Sequence, residues 1–248
     1  MSARAAHPLS AVRSAAPRAA ILLDFDGTLS PIAERPDLAR LQPGMHRVLV
    51  ELVREFELVA VVSGRTRDEV ATLVRVDGVL IEGSYGLTLS GGSDPIPREI
   101  VRRVEEVAEV LPGSLVEPKG VTIALHVRGT DDPDSAEASA RRLLAPIADG
   151  AGLRLVGGKR VVELVPSSAS LKADAVRRLL AAPEIHAALF AGDDEGDLGA
   201  FAELDRTPVE GVKVAVRGSE TPRAVIEAAD VVVDGPAGLL KLLRSLLG

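Results

Sequence analysis

The sequence predicts an α/β protein, a doubly wound parallel sheet interrupted by a smaller inserted α+β unit. Three observations carry this reading. Short apolar runs of strand length end in clusters of Asp, Ser and Gly, with segments of helical apolar spacing between them. That rhythm stops after Tyr85-Gly86 and gives way to strands of period-two alternation. It resumes at Ala187 and runs to Val233. A chain of 248 residues is long enough for one large domain or two modest ones.

Residues 1–18 are rich in Ala, Arg and Ser, lack the apolar stretch of a signal peptide and are expected to form a mobile tail. The first strand, Ala20-Ile-Leu-Leu23, is apolar throughout, as a strand covered on both faces requires. Pro43 to Phe56 has helical spacing at Val48, Leu49, Leu52 and Val53, with Pro43 where a first turn tolerates it. Leu58 to Val62 is the second strand. Thr66 then caps a helix, with Glu69 three residues on completing a capping box. Val79 to Ile81 is the third strand, and Ser90-Gly-Gly-Ser-Asp-Pro95 reads as a linker. The inserted unit holds a helix over Pro97–Leu111, a strand over Val121–Arg128, a helix over Asp134–Ala148 and strands near Leu153 and Val161. Buried strands return at Ala187–Ala191, Val212–Val216 and Val231–Val233. The expected boundaries are therefore 1–18 for the tail, 19–90 and 168–248 for a split core, and 91–167 for the insertion.

Composition narrows the function. A net charge of −7 and a pI near 5.2 argue against a nonspecific nucleic-acid surface, and no apolar run has membrane length. Cysteine is absent, which removes disulfides, thiolate catalysis and Cys-based zinc sites. Aromatic residues make up 2%, so any sugar recognition has to be polar rather than by ring stacking. Lysine occurs only at Lys119, Lys159, Lys172, Lys213 and Lys241, in a chain that otherwise uses arginine. An ammonium is not interchangeable with a guanidinium at an anion site, so each lysine is worth placing.

The first strand ends in Asp24-Phe-Asp26-Gly27-Thr28, two carboxylates that are costly at a buried strand end unless a cation meets them. Aspartate can also act as a covalent nucleophile, with a second carboxyl moving the proton. Gly192-Asp193-Asp194-Glu-Gly-Asp197 repeats the motif at a later strand end, and together the carboxylates make an oxygen-rich set suited to Mg²⁺. Ser63 and Gly64 precede a helix N-terminus, which offers N–H groups to phosphate. Lys172 begins a helix, where lysine is unfavourable unless an anion faces it. In the insertion, alternation puts Thr122, Ala124, His126 and Arg128 on one strand face, while Lys159 and Glu163 share a face, as do Glu117 and Lys119. A solvated sheet face would give the same pattern.

These pieces, in this order, resemble the haloacid-dehalogenase-like phosphatases. The resemblance implies an aspartyl-phosphate route in which Asp24 is the nucleophile and Asp26 the general acid/base. It assigns Mg²⁺ to the Asp24 carboxylate, the Asp26 carbonyl and Asp193, with Asp194 and Asp197 in support. Gly27, Ser63, Gly64 and Lys172 would hold the phosphoryl oxygens. Glu117-Pro-Lys-Gly120, His126-Val-Arg128, Gly158-Lys159 and Glu163-Leu-Val-Pro166 narrow the resemblance to trehalose-6-phosphate phosphatases. In that family the insertion is a cap that reads the sugar, a role Glu117, Lys119, His126, Arg128, Lys159 and Glu163 would inherit. The chain departs from the family pattern at Tyr85, Val127, Ala173, Gly196 and Leu198. Another phosphorylated disaccharide or pseudo-disaccharide thus stays open as substrate, as does a non-catalytic sugar-phosphate-binding protein. A monomeric, cytoplasmic enzyme with no nucleic-acid or membrane partner is expected.

Overall fold

The structure is a computed structural model and describes residues 8–87, 95–158, 160–169 and 172–247. Along the chain, helix α1 (Leu9–Ser14) precedes strand β1 (Ala19–Leu23). Then come α2 (Met45–Glu55), β2 (Leu58–Val62), α3 (Arg67–Val74) and β3 (Leu80–Glu82). The insertion follows with α4 (Arg98–Glu109), β4 (Leu115–Pro118), β5 (Ile123–His126), α5 (Pro133–Gly150), β6 (Leu153–Gly158) and β7 (Val161–Pro166). The chain then continues through α6 (Lys172–Leu179), β8 (Ala187–Gly192), α7 (Glu195–Leu204), β9 (Glu210–Arg217), α8 (Arg223–Ala228), β10 (Val231–Asp234) and α9 (Gly235–Leu246).

The described residues fall into two compact units. One lies within Met1–Ile32, Ala39–Gly86 and Leu171–Gly248, the other within Ala33–Leu38 and Leu87–Ser170. In the first, six strands pair in parallel in the order β10-β9-β8-β1-β2-β3. The chain winds outward from β1 through β2 and β3, then restarts on the other side of β1 with β8. The β1/β8 boundary is thus the point where the winding reverses, the place at the carboxyl ends of the strands where doubly wound sheets take their ligands. Every residue of β1 is fully buried, which explains its unbroken apolar run. Ala20, Leu22, Phe190 and Phe201 share one core layer, where the two Phe rings meet edge-on at 6.0 Å.

In the second unit four antiparallel strands run in the order β4-β5-β7-β6. Ile123, Leu125, Val162 and Leu164 turn one face toward Ile100 and Val104 of α4 and Leu144 and Ile147 of α5. The alternate residues, including Glu117, Ala124 and Glu163, are lateral neighbours on the other face.

Two expectations need correction. The mobile tail does not extend to residue 18, because α1 buries Leu9 and Val12 and the Arg18 carbonyl accepts from the His186 N–H at 2.8 Å. The apolar pair three apart makes a small amphipathic turn that the Ala-rich composition conceals. The strand of the insertion stops at His126 rather than Arg128. The Val127 N–H turns to the Arg160 carbonyl at 2.9 Å, and a turn closes from Thr130 back to Val127. Among the described residues, no helix is long and apolar enough to cross a membrane.

Candidate active site

The carboxyl end of β1 carries Asp24, whose N–H is anchored to the Ala191 carbonyl of β8 at 2.9 Å. The Lys172 ammonium, at the start of α6, donates to Asp24 Oδ1 at 2.5 Å and to Asp197 Oδ1 at 2.6 Å. All three groups are buried. Burial alone would push the lysine down, but the carboxylates of Asp197 and Asp24 outweigh it and hold the ammonium well above the ordinary lysine range. The anion that a helix-opening lysine needs is therefore supplied twice.

Asp197 is shared. Its second oxygen accepts from the N–H groups of Asp193 and Asp194, both at 2.9 Å, so it ties the β8–α7 loop to Lys172. Helix α7 starts at Glu195, so Asp193 lies ahead of it and Asp197, in its first turn, reaches back to the loop. Asp194 caps the helix, accepting from the Glu195 N–H at 2.6 Å. Asp193 accepts from the Thr28 hydroxyl at 3.2 Å. Gly27 allows that approach: its φ is +87°, and a Cβ there would lie 2.0 Å from Asp193 Oδ2.

Asp24, Asp193 and Asp197 each offer an oxygen within 4.8 Å of the others. One lysine can neutralise only one of three buried carboxylates, and an all-oxygen set suits a hard divalent cation, so these residues fit the metal that the resemblance implies. Asp24 and Asp193 of the cluster belong to the expected ligand set, and Asp197, expected in support, lies with them. The Asp26 carboxylate, as distinct from the carbonyl expected as a ligand, is gripped by Arg65 at 2.6 and 2.8 Å.

Ser63 is buried at the end of β2, where its hydroxyl accepts from the Arg65 N–H at 3.2 Å. Gly64 lies against the ring of Tyr85, 2.6 Å from where its Cβ would be. Thr66 and Glu69 form the capping box of α3 that their spacing predicts. In the second unit, Glu163 is buried and accepts from the Thr122 hydroxyl at 2.6 Å. Lys119 lies 3.6 Å from both Glu163 and Glu117, and His126 Nε2 meets Glu117 at 2.7 Å. These four expected residues are brought together. Arg128 stands beyond them along the chain, half-buried in the turn after β5. Lys159 lies outside the described residues.

The sequence reading gave Arg65, Thr28 and Thr122 no role. Arg65 could have been suspected from its place beside Ser63-Gly64, but no local signal pairs it with a carboxylate 39 residues earlier.

The trehalose-phosphatase family model matches residues 22–232. The chain belongs to the trehalose-phosphatase family. It is 36% identical over 224 residues to an uncharacterised glycosyl hydrolase of Mycobacterium tuberculosis, covering 82% of this chain and 16% of that protein. A trehalose-phosphate phosphatase of Mycobacterium avium is 31% identical over 236 residues, covering 88% of this chain and 59% of that one. Family membership thus concerns a chain that spans less than two-thirds of these relatives. Among solved structures, the C-terminal domain of a C. albicans trehalose-6-phosphate phosphatase superposes with a TM-score of 0.83 at 22% identity. The match covers 95% of this chain and 94% of that one. The fold of this family member is the haloacid-dehalogenase-like α/β core with an inserted α+β unit.

Proposed function

We propose that the chain is a Mg²⁺-dependent phosphatase that hydrolyses trehalose 6-phosphate to trehalose and phosphate. The observation that carries this reading is the buried Lys172 between Asp24 and Asp197, with Asp193 beside them at the β1/β8 reversal. Asp24 is the nucleophile. Its carboxylate oxygen bonds to phosphorus as the bond from phosphorus to the sugar oxygen breaks, and Asp26 gives that oxygen its proton. Water then attacks the aspartyl-phosphate, Asp26 takes the proton back, and phosphate leaves with the Asp24 carboxylate restored. Lys172, Ser63 and the backbone at Gly27 and Gly64 hold the phosphoryl oxygens. Asp24, Asp193 and the Asp26 carbonyl would hold Mg²⁺, which when bound would neutralise charge on the transferring group. Asp197 and Asp194 fix the loop that presents Asp193.

The sugar is read by Glu117, Lys119, His126, Arg128 and Glu163 of the second unit, an array of acceptors and donors matched to hydroxyls. Phosphate release from a panel of sugar phosphates, with trehalose 6-phosphate among other phosphorylated disaccharides, tests the assignment. Preferred turnover of a different disaccharide phosphate would replace the substrate and keep the chemistry. Binding without turnover would replace both.

A further inference from the structure

Asp26 is the least enclosed of the acidic groups at the end of β1. Its side chain is 31% exposed, just beyond the strand where the backbone bridges to Ser30. Arg65 grips it from just past the neighbouring strand. Its Nε donates to Asp26 Oδ2 at 2.6 Å and a terminal nitrogen donates to Oδ1 at 2.8 Å, a two-point fork that sets the plane of the carboxylate as well as its position.

The arginine is itself held on several sides. Its guanidinium lies over the Phe25 ring, 5.6 Å from the centroid, and its side chain is only 11% exposed. Its N–H donates to the Ser63 hydroxyl, and its carbonyl accepts from the Ser84 N–H at 2.6 Å. Ser84 and Tyr85 both take left-handed backbone angles, φ 47° and 57°, which non-glycine residues adopt only when their surroundings impose it. The Tyr85 N–H donates to the Ser63 carbonyl at 2.8 Å. The 84–85 turn is therefore clasped to the loop that carries Arg65.

We propose that Arg65 is a positioning residue, fixing the direction of the Asp26 carboxylate from which the reaction proposed above moves its proton. The role rests on that reading of the site. A carboxylate has roughly four lone-pair directions. The fork engages one direction on each oxygen and so fixes the plane in which the others point. A misplacement of about 1 Å at a reacting group costs on the order of a hundredfold in rate, which is the loss that Arg65→Ala should bring. Lysine cannot replace the fork, because a single ammonium sets a distance but no plane.

The test uses the full chain with Mg²⁺ and p-nitrophenyl phosphate in steady state, where nitrophenolate leaves without a proton and turnover depends on hydrolysis of the aspartyl-phosphate, the step in which Asp26 takes a proton from water. Arg65→Ala is expected to lower kcat about a hundredfold, while inhibition by inorganic phosphate stays unchanged. Arg65→Lys should restore little, and guanidinium ion added to Arg65→Ala should restore part of the rate. In an Asp26→Asn background, Arg65→Ala should add no further loss and guanidinium should restore nothing, since the arginine acts only through Asp26. Additive losses, or weakened inhibition by phosphate in Arg65→Ala, would overturn the role and make Arg65 a scaffold or a phosphate ligand. Arg65→Lys at the wild-type rate overturns it as well. Asp24→Asn separates the two levels. Wild-type turnover in that variant sinks the reading of the site and the positioning role with it. A dead Asp24→Asn beside a fully active Arg65→Ala sinks the positioning role alone.

Discussion

Asp24, Lys172 and Asp197 share a buried space that tolerates no missing member. Asp24→Asn keeps the shape and removes the nucleophile, so it should abolish phosphate release while leaving the melting temperature near wild type. Appreciable residual turnover would refute the proposed chemistry. Lys172→Met leaves carboxylates buried without their ammonium, a change that typically costs about 3–5 kcal/mol. The loss should appear in thermal melts with a chelator present and shrink as Mg²⁺ is added, because a bound cation compensates the same charges. The folded lysine holds its proton more tightly than the unfolded chain does. Its contribution to stability is therefore complete below the ordinary lysine range and is lost only as pH rises through the higher folded value. Gly27 is as exacting for a steric reason. Gly27→Ala sets a methyl 2.0 Å from Asp193 Oδ2 on a backbone of φ +87°, so Asp193 has to move. The Mg²⁺ concentration giving half-maximal activity should rise, and an unchanged value would mean that Asp193 is not a ligand.

At the scale of elements, helices α6 and α7 are joined away from the reacting groups by Glu203, a buried carboxylate that accepts from the Arg177 guanidinium at 2.7 and 2.9 Å. The hydrogen bonds from Arg177 hold this carboxyl below the usual glutamate range despite its burial. Its contribution is present above the ordinary glutamate range and falls away as pH drops through the lower folded value. Glu203→Gln should therefore lower stability at neutral pH by about 1–3 kcal/mol, and the difference from wild type should narrow in acid denaturation. The elements themselves were largely legible, because β1, β2 and β8 are apolar runs that end abruptly in Asp, Ser or Gly, and Thr66–Glu69 is a local capping signal. Contacts that join distant segments were not. The alternation in Val121–Arg128 continues past the last ladder hydrogen bond, since side-chain period does not record where backbone pairing ends. Arg65 reaches Asp26 only because β1 and β2 are neighbours in the sheet, and Thr28 reaches Asp193 only because β1 and β8 are.

Across the whole molecule, the proposed reaction draws its substrate choice and its chemistry from different units. Glu163, with Thr122 and Lys119 around it, belongs to the second unit, whereas Asp24 and Lys172 belong to the first. Glu163→Ala should thus lower turnover of trehalose 6-phosphate by about tenfold more than that of p-nitrophenyl phosphate, whose leaving group offers no hydroxyls to read. Equal losses on both substrates would remove Glu163 from sugar recognition. The strand order has a further consequence, for the timing of synthesis. Asp24 and Lys172 touch, yet 148 residues separate them, and the whole second unit is made in between. At roughly 5–20 residues per second, a ribosome takes about 7–30 s to travel from one to the other. For that interval β1 has β2 and β3 on one side while its β8 edge still lacks a partner, and the carboxylates exist without their ammonium. On the proposed chemistry, a growing chain cannot cleave a phosphate ester until β8 has docked beside β1 and Lys172 has met Asp24.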